Sequence, residues 1–134
     1  MSIEVLSGIA PRLYELVAPL VMNCSVLRQN NNYPFKTTRK YVWYVAEDGG
    51  RVLGFMPVKM AETNYRVDNY YISGDDSSVM ERLLDGVIRD FSFGLPLVAI
   101  VHERHVEGFS RKNFISCVEW KRYVKMRYHE GGKS

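Results

Sequence analysis

The segment from Tyr65 to Phe91, YRVDNYYISGDDSSVMERLLDGVIRDF, constrains the chain more than any other. Tyr65 to Ser73 is rich in aromatic and β-branched residues, which suit a pleated, half-buried surface, so it reads as one strand. Gly74-Asp75-Asp76 breaks it, because glycine accepts positive φ and aspartate bonds its own backbone in turns. Val79, Leu83, Leu84, Val87, Ile88 and Phe91 then recur at helical spacing. Ser77 or Ser78 is the expected cap, and Ser78 with Glu81 has the capping-box spacing. A strand that delivers a turn onto a helix N-terminus gathers unpaired N–H groups at one point, a ready seat for an anion. The bland alternative is a plain strand-to-helix connection without a ligand.

A chain of 134 residues fits one domain and is long enough to bury a core without staples. No apolar run approaches the roughly 18 residues that a membrane span needs. No basic segment leads into an apolar core at the N-terminus, so a cytoplasmic protein is expected. Cys24 and Cys117 lie far apart without metal-type spacing, and the three histidines and scattered acids show none either. Free thiols and no metal are the expectation. The net charge of +3 is uneven: from His102 onward eight Lys/Arg face four Asp/Glu, a local balance of +4. Such a surface suits an anionic ligand or nucleic acid. With no basic helix and no recognisable binding motif, nucleic acid is not expected.

Along the rest of the chain, Ile3, Val5 and Leu6 suit a short first strand. Pro11 opens a helix with Leu13, Leu16, Val17, Leu20 and Val21 on one stripe, and Pro19 is expected to kink or end it. Asn30-Asn31-Asn32, with Pro34 behind, reads as a loop. Lys40 to Glu47 and Arg51 to Met60 form a hairpin around Asp48-Gly49-Gly50, and Pro57 predicts a bulge or an edge position. With Tyr65–Ser73 these strands make an antiparallel meander. Leu97 to Val101 is a continuous apolar run, typical of a strand buried on both faces and parallel to a neighbour. Glu107 to Asn113 allows one or two helical turns. Phe114 to Trp120 and Arg122 to Tyr128 form one long strand or a hairpin, and Glu130–Ser134 is a frayed tail.

The order of elements, with its local motifs, resembles the GNAT N-acyltransferase superfamily. The hairpin from Tyr44 through Asp48-Gly49-Gly50 to Phe55 looks like that family's second and third strands. Asp68-Asn69-Tyr70-Tyr71-Ile72 resembles its fourth strand, and Asn113-Phe114 with Tyr123-Val124-Lys125-Met126 resembles its closing signature. The resemblance covers about Val5 to Tyr128. It implies an α/β (α+β) domain with a mixed, mostly antiparallel central sheet and helices on both faces. It also implies transfer of an acetyl or other acyl group from acyl-CoA to an amine. Carried over by position, the pantetheine arm would pair with the backbone of Tyr70, Tyr71 and Ile72. The pyrophosphate would lie on Gly74, Asp75, Asp76, Ser77, Ser78 and Val79.

The sequence departs from the family pattern in two places. Its turn has one glycine, no arginine and two carboxylates, and the position of the family's proton-donating tyrosine falls on Phe109 or Ser110. Acyl transfer needs a base for the ammonium and a proton for the departing thiolate. Asp68 or Glu62 is the candidate base, and His102 and His105 have the intrinsic pKa for proton transfer. Ser110 is the remaining candidate, and the tyrosines at 70, 71 and 123 read as packing residues. Tyr41, Trp43 and Tyr44, with Tyr33 and Phe35, line an acceptor pocket, form a homodimer face, or bury alternate rings on two sides of a strand. The rival to an enzyme is an inactive binding or assembly module of the same fold.

Overall fold

A computed structural model of the protein describes residues 1–29 and 34–129. The asparagine loop, Tyr33 and the tail from Glu130 lie outside the described residues. The strands are β1 (Ser2–Ser7), β2 (Tyr41–Asp48), β3 (Arg51–Met60), β4 (Tyr65–Val67), β5 (Tyr71–Ile72), β6 (Leu97–His102), β7 (Phe114–Glu119) and β8 (Tyr123–Tyr128). The helices are α1 (Pro11–Val21), α2 (Cys24–Gln29), α3 (Ser77–Phe91) and α4 (Val106–Arg111). One mixed sheet runs β1-β2-β3-β4-β6-β8-β7, with β5 also paired to β3. Among the described residues only β4 and β6 pair in parallel; the other pairs are antiparallel, as expected.

Alternation along β2 builds both layers at once. Tyr44 and Ala46 point into the main core under α3 and α4, with Leu83, Leu84, Val87, Phe109 and Met126. Trp43 and Val45 point the other way, onto Leu13 and Val17 of α1 and Val26 of α2. Two-sided burial is therefore the fate of the aromatic run. Trp43 and Tyr44 are 1% and 0% exposed, so they cannot serve as an outer dimer face. Helix α2 carries no sequence expectation; Asn23 starts it, its Oδ1 accepting from Ser25 N at 2.8 Å. Helix α1 ends at Val21 with Pro19 in its last turn, as expected.

Two local expectations need correction. The single strand from Tyr65 to Ser73 is two short strands with a break over residues 68–70. Asp76, not Ser77 or Ser78, caps α3: its Oδ1 accepts from Ser78 N at 2.9 Å and Val79 N at 3.4 Å. Pro57 sits in register opposite Trp43, and the bulge lies further along, where the pairing skips Leu53. Neither β4 nor β5 pairs with residues 56–58, so the proline occupies a locally unpaired edge inside the sheet. The closing segment is a hairpin. Cys24 and Cys117 are free and exposed.

Gly54 is the point at which β5 approaches β3. A Cβ there would sit 2.6 Å from the Tyr71 carbonyl oxygen and 3.3 Å from Val79 Cγ1. Backbone cannot swing aside as a side chain can, so Gly54→Ala is expected to destabilise by about 2 kcal/mol, measured by urea denaturation. An unchanged midpoint would show that β5 yields freely.

Candidate functional site

The break at residues 68–70 creates the site. Before it, β4 pairs with β6 through Tyr65↔Leu97 to Val67↔Ala99. After it, β5 pairs with β3 alone, so β5 and the end of β6 diverge. Tyr70, at the fork, is 7% exposed and fills the gap between them. Its hydroxyl lies 2.7 Å from His105 Nδ1, and His105 Nε2 lies 2.8 Å from Asp75 Oδ1. The Tyr70 oxygen also accepts from the backbone N–H of His102 at 3.3 Å. Donor arithmetic assigns the protons. The His102 amide can only donate and the Asp75 carboxylate only accepts. Tyr70 therefore donates to Nδ1, and His105 carries its proton on Nε2.

Chain geometry aims these groups. Gly74 and Asp75 both have positive φ, +63° and +53°, in the short 3-10 turn after β5. Aspartate tolerates that region, and the turn directs its carboxylate to His105. Arg104 adds a second contact, Nε to Asp75 Oδ1 at 3.1 Å. Burial alone would raise the Asp75 pKa, but the hydrogen bonds from His105 and Arg104 and the Arg104 charge more than offset it, and the net shift is downward. His105 is 4% exposed. Burial lowers its pKa, against the pull of Asp75, so it is neutral at pH 7. Burial raises the Tyr70 phenol, keeping it protonated.

Two further contacts occupy surfaces that the sequence assigned to a ligand. The Gln29 side chain pairs with both backbone groups of Ile72: Nε2 donates to the carbonyl at 2.9 Å, and Oε1 accepts from the N–H at 2.9 Å. A primary amide thus stands where a neighbouring strand or a ligand amide would stand. At the start of α3 the N–H groups of Ser78 and Val79 are taken by Asp76, whose carboxyl is held below its usual pKa first by the Ser78 hydroxyl and then by those N–H groups. Asp76 is an internal anion at the seat read for a phosphate.

The candidate residues divide accordingly. Tyr70, Ile72, Asp75, His102 and His105 converge on the fork. Gly74 shapes the turn, Ser77 and Ser78 start α3 exposed, Val79 is buried in the main core, and Tyr71 packs on Phe55 at 5.5 Å between ring centroids. Asp68 is the first residue of the break and is tied to Arg66 by contacts of 3.1 to 3.3 Å. Glu62 is exposed in the turn before β4, at the opposite end of that strand. Ser110 is exposed on α4, and both ring nitrogens of His105 are committed elsewhere. Phe109 is a core residue stacked between Tyr70 and Phe114. His102 ends β6, accepts from Arg104 N through Nδ1 at 3.2 Å, and packs edge-on against Tyr123. Burial, followed by the Arg104 charge, lowers its pKa.

Sequence reading missed Gln29, Arg104 and the role of the Tyr70 phenol. Their partners are 43, 29 and 35 residues away, and no local pattern marks them. A cavity of about 10 Å³, room for one water, adjoins Gln29, Tyr70, His102, His105 and Tyr123. Among the described residues no cluster of three or more His, Cys, Asp or Glu could hold a metal ion, and no helix is long and apolar enough to cross a membrane.

No family model and no curated protein matches the chain in sequence. Solved structures do match in shape. Escherichia coli ElaA superposes with a TM-score of 0.73 at 10% identity, covering 96% of this chain and 100% of that one. An acyl-CoA N-acyltransferase from Pseudomonas aeruginosa superposes with a TM-score of 0.70 at 16% identity, with coverage of 96% and 100%. The aminoglycoside 6'-N-acetyltransferase from Enterococcus faecium does so with a TM-score of 0.70 at 11% identity, with coverage of 95% and 96%. The forked sheet, with α1 and α2 on one face and α3 and α4 on the other, is the fold of the GNAT N-acyltransferases.

Proposed function

We propose that the chain is an acyl-CoA-dependent N-acyltransferase that moves an acetyl or related acyl group to an amine. The fork carries this reading. The Tyr70–Ile72 edge is unpaired by any strand on the β6 side, and only a side-chain amide satisfies Ile72. An extended ligand with amide groups can replace Gln29 there by the same two hydrogen bonds, as in strand addition.

The residues at the fork offer the proton a route. As the amine attacks the thioester carbonyl, its proton passes to the Tyr70 oxygen while the phenolic proton moves to His105 Nδ1. The resulting imidazolium is held by Asp75 through Nε2. Collapse of the tetrahedral adduct breaks the C–S bond. The phenol then returns a proton to the thiolate and recovers one from His105, so a single chain of groups acts as base and acid. At the end Tyr70 and His105 are neutral again and Asp75 is ionised beside Arg104, as at the start.

Isothermal titration with acetyl-CoA tests the reading. Saturable binding with a dissociation constant below about 1 mM is expected, together with CoA release in a screen of amines. Absence of binding near that concentration would overturn it. A second reading, an inactive binding or assembly module, is favoured by the internal occupants Gln29 and Asp76. Its contact surface would be the β7 edge, where Ile115, Val118 and Trp120 are 48%, 43% and 53% exposed. Acetyl-CoA binding without turnover on any amine would favour this reading.

A further inference from the structure

Beside the fork lies a second, larger cavity of about 190 Å³, lined by Arg28, Gln29, His102, Arg104, Arg122 and Tyr123. Three arginines from three separate elements line it, from the end of α2, the turn after β6 and the turn before β8. No carboxylate lines the cavity. Like charges gathered around one cavity repel one another unless an anion or solvent screens them. Among the described residues no carboxylate pairs with Arg28 or Arg122, whereas Arg104 is bound to Asp75 and to the Gln29 carbonyl. The Arg122 backbone is fixed, its carbonyl accepting from Glu103 N at 2.8 Å. His102 uses Nδ1 as an acceptor for Arg104 N, so its neutral ring carries its proton on Nε2, a further donor on the cavity wall.

The sheet continues the same charge away from the cavity. Val124 and Met126 of β8 are buried in the main core, so Tyr123, Lys125 and Arg127 face the opposite side. Lys125 pairs across from Ile100 and Arg127 from Val98. Arg66 pairs with Val98 from the other flank, and its neighbour Asp68 is bound to it. Helices α1 and α2 pack on β2 and β3, not on this half of the face. No residue of the Gly74–Val79 turn lines the cavity.

We infer that this cavity holds the anionic group, a carboxylate or phosphate, of a small amine acceptor. Its volume is below that of a whole drug-sized ligand site and suits one charged head group with a short stem. Planar guanidinium forks match both oxyanions. The ligand's designation as acceptor rests on the acyl-transfer reading; the anion site itself does not.

The test is calorimetric titration at low ionic strength with O-phosphoethanolamine and β-alanine, each an amine with an anionic end, against ethanolamine as the control. Saturable binding of at least one probe is expected, with none for ethanolamine. Arg28→Gln and Arg122→Gln should each weaken binding about tenfold or more, while Arg122→Lys keeps part of it. Both side chains are exposed, so an unchanged melting temperature confirms that the variants fold. The bound probe should retain its affinity when acetyl-CoA is saturating. Failure of both probes to bind, or equal affinity in the glutamine variants, would overturn the site. Competition by acetyl-CoA would assign the cavity to the donor's phosphates and overturn the acceptor assignment. If acetyl-CoA does not bind at all, the acyl-transfer reading falls, and the probe titration still decides whether the cavity takes an anion.

Discussion

Replacement of His105 by alanine is expected to lower the free energy of unfolding by about 3 kcal/mol, measured by chemical denaturation. The change strips the partner from the buried Tyr70 hydroxyl and from Asp75, and leaves a void beside the Tyr70 ring. His105→Gln supplies a donor and an acceptor on a similar stem, and should recover a large part of that loss. It cannot take up a proton. On the acyl-transfer reading, His105→Gln therefore reduces turnover while acetyl-CoA affinity is unchanged; equal turnover would remove His105 from the proton route. The same pair of variants fixes a pH dependence. The folded pKa of His105 lies below its ordinary 6.5, so below that pH the unfolded chain takes up a proton that the folded chain resists. This contribution is complete above about pH 6.5 and is lost as pH falls through the folded value. Asp75, shifted below 3.8, adds a second loss at lower pH with the same sign. Between pH 7 and 5 the wild-type denaturation midpoint should fall. In His105→Gln only the part due to His102, whose pKa is also lowered, should remain. Identical slopes in the two proteins would contradict the neutral, buried assignment.

Gln29→Ala is expected to tighten acetyl-CoA binding about thirtyfold. The wild-type amide makes two hydrogen bonds to Ile72 that a ligand must displace. At about 1 kcal/mol each, their removal shifts the competition by about 2 kcal/mol. The variant should also lose up to about the same 2 kcal/mol of stability, because these two bonds hold α2 to β5. Titration of both proteins with acetyl-CoA decides the matter. Equal affinities would mean that acyl-CoA does not use the Ile72 backbone, and the seat read from the order of elements would be wrong.

The fold was legible where periodicity and turn chemistry agree. The helix from Ser77 to Phe91, the Asp48-Gly49-Gly50 hairpin and the apolar strand at Leu97 each carry a local signal that tertiary packing reinforces. The break over residues 68–70 was not legible. Asp68 and Asn69 are residue types depleted in strands, but the strand formers Tyr65, Val67, Tyr70, Tyr71 and Ile72 on either side outweigh that short signal. The cap was misread for a similar reason. Asp76, Ser77 and Ser78 are all favourable caps, and the choice depends on where the preceding turn leaves the backbone. At the site, His102 and His105 were legible as titratable groups after a buried strand. What each does was not, because Asp75 and Tyr70 reach His105 from 30 and 35 residues away. Ser110 and Asp68 show the other limit of reading by side-chain type: one is exposed on α4 and the other is tied to an arginine, and neither placement has a local sequence signal.

The two sides of the sheet are unequal. Among the described residues, twenty buried residues anchor the α3 and α4 side, but only six anchor the side of α1 and α2. Cooperative units with less buried apolar area open at lower free energy than the rest of a domain. The α1–α2 layer is therefore the part most ready to exchange its amides while the remainder stays folded. Gln29 stands at the end of that layer, but the groups it covers belong to the rigid one. Uncovering the fork consequently requires no rearrangement of Tyr70, His105 or Asp75: the catalytic candidates sit on the slow-exchanging body, and the stopper sits on the fast one.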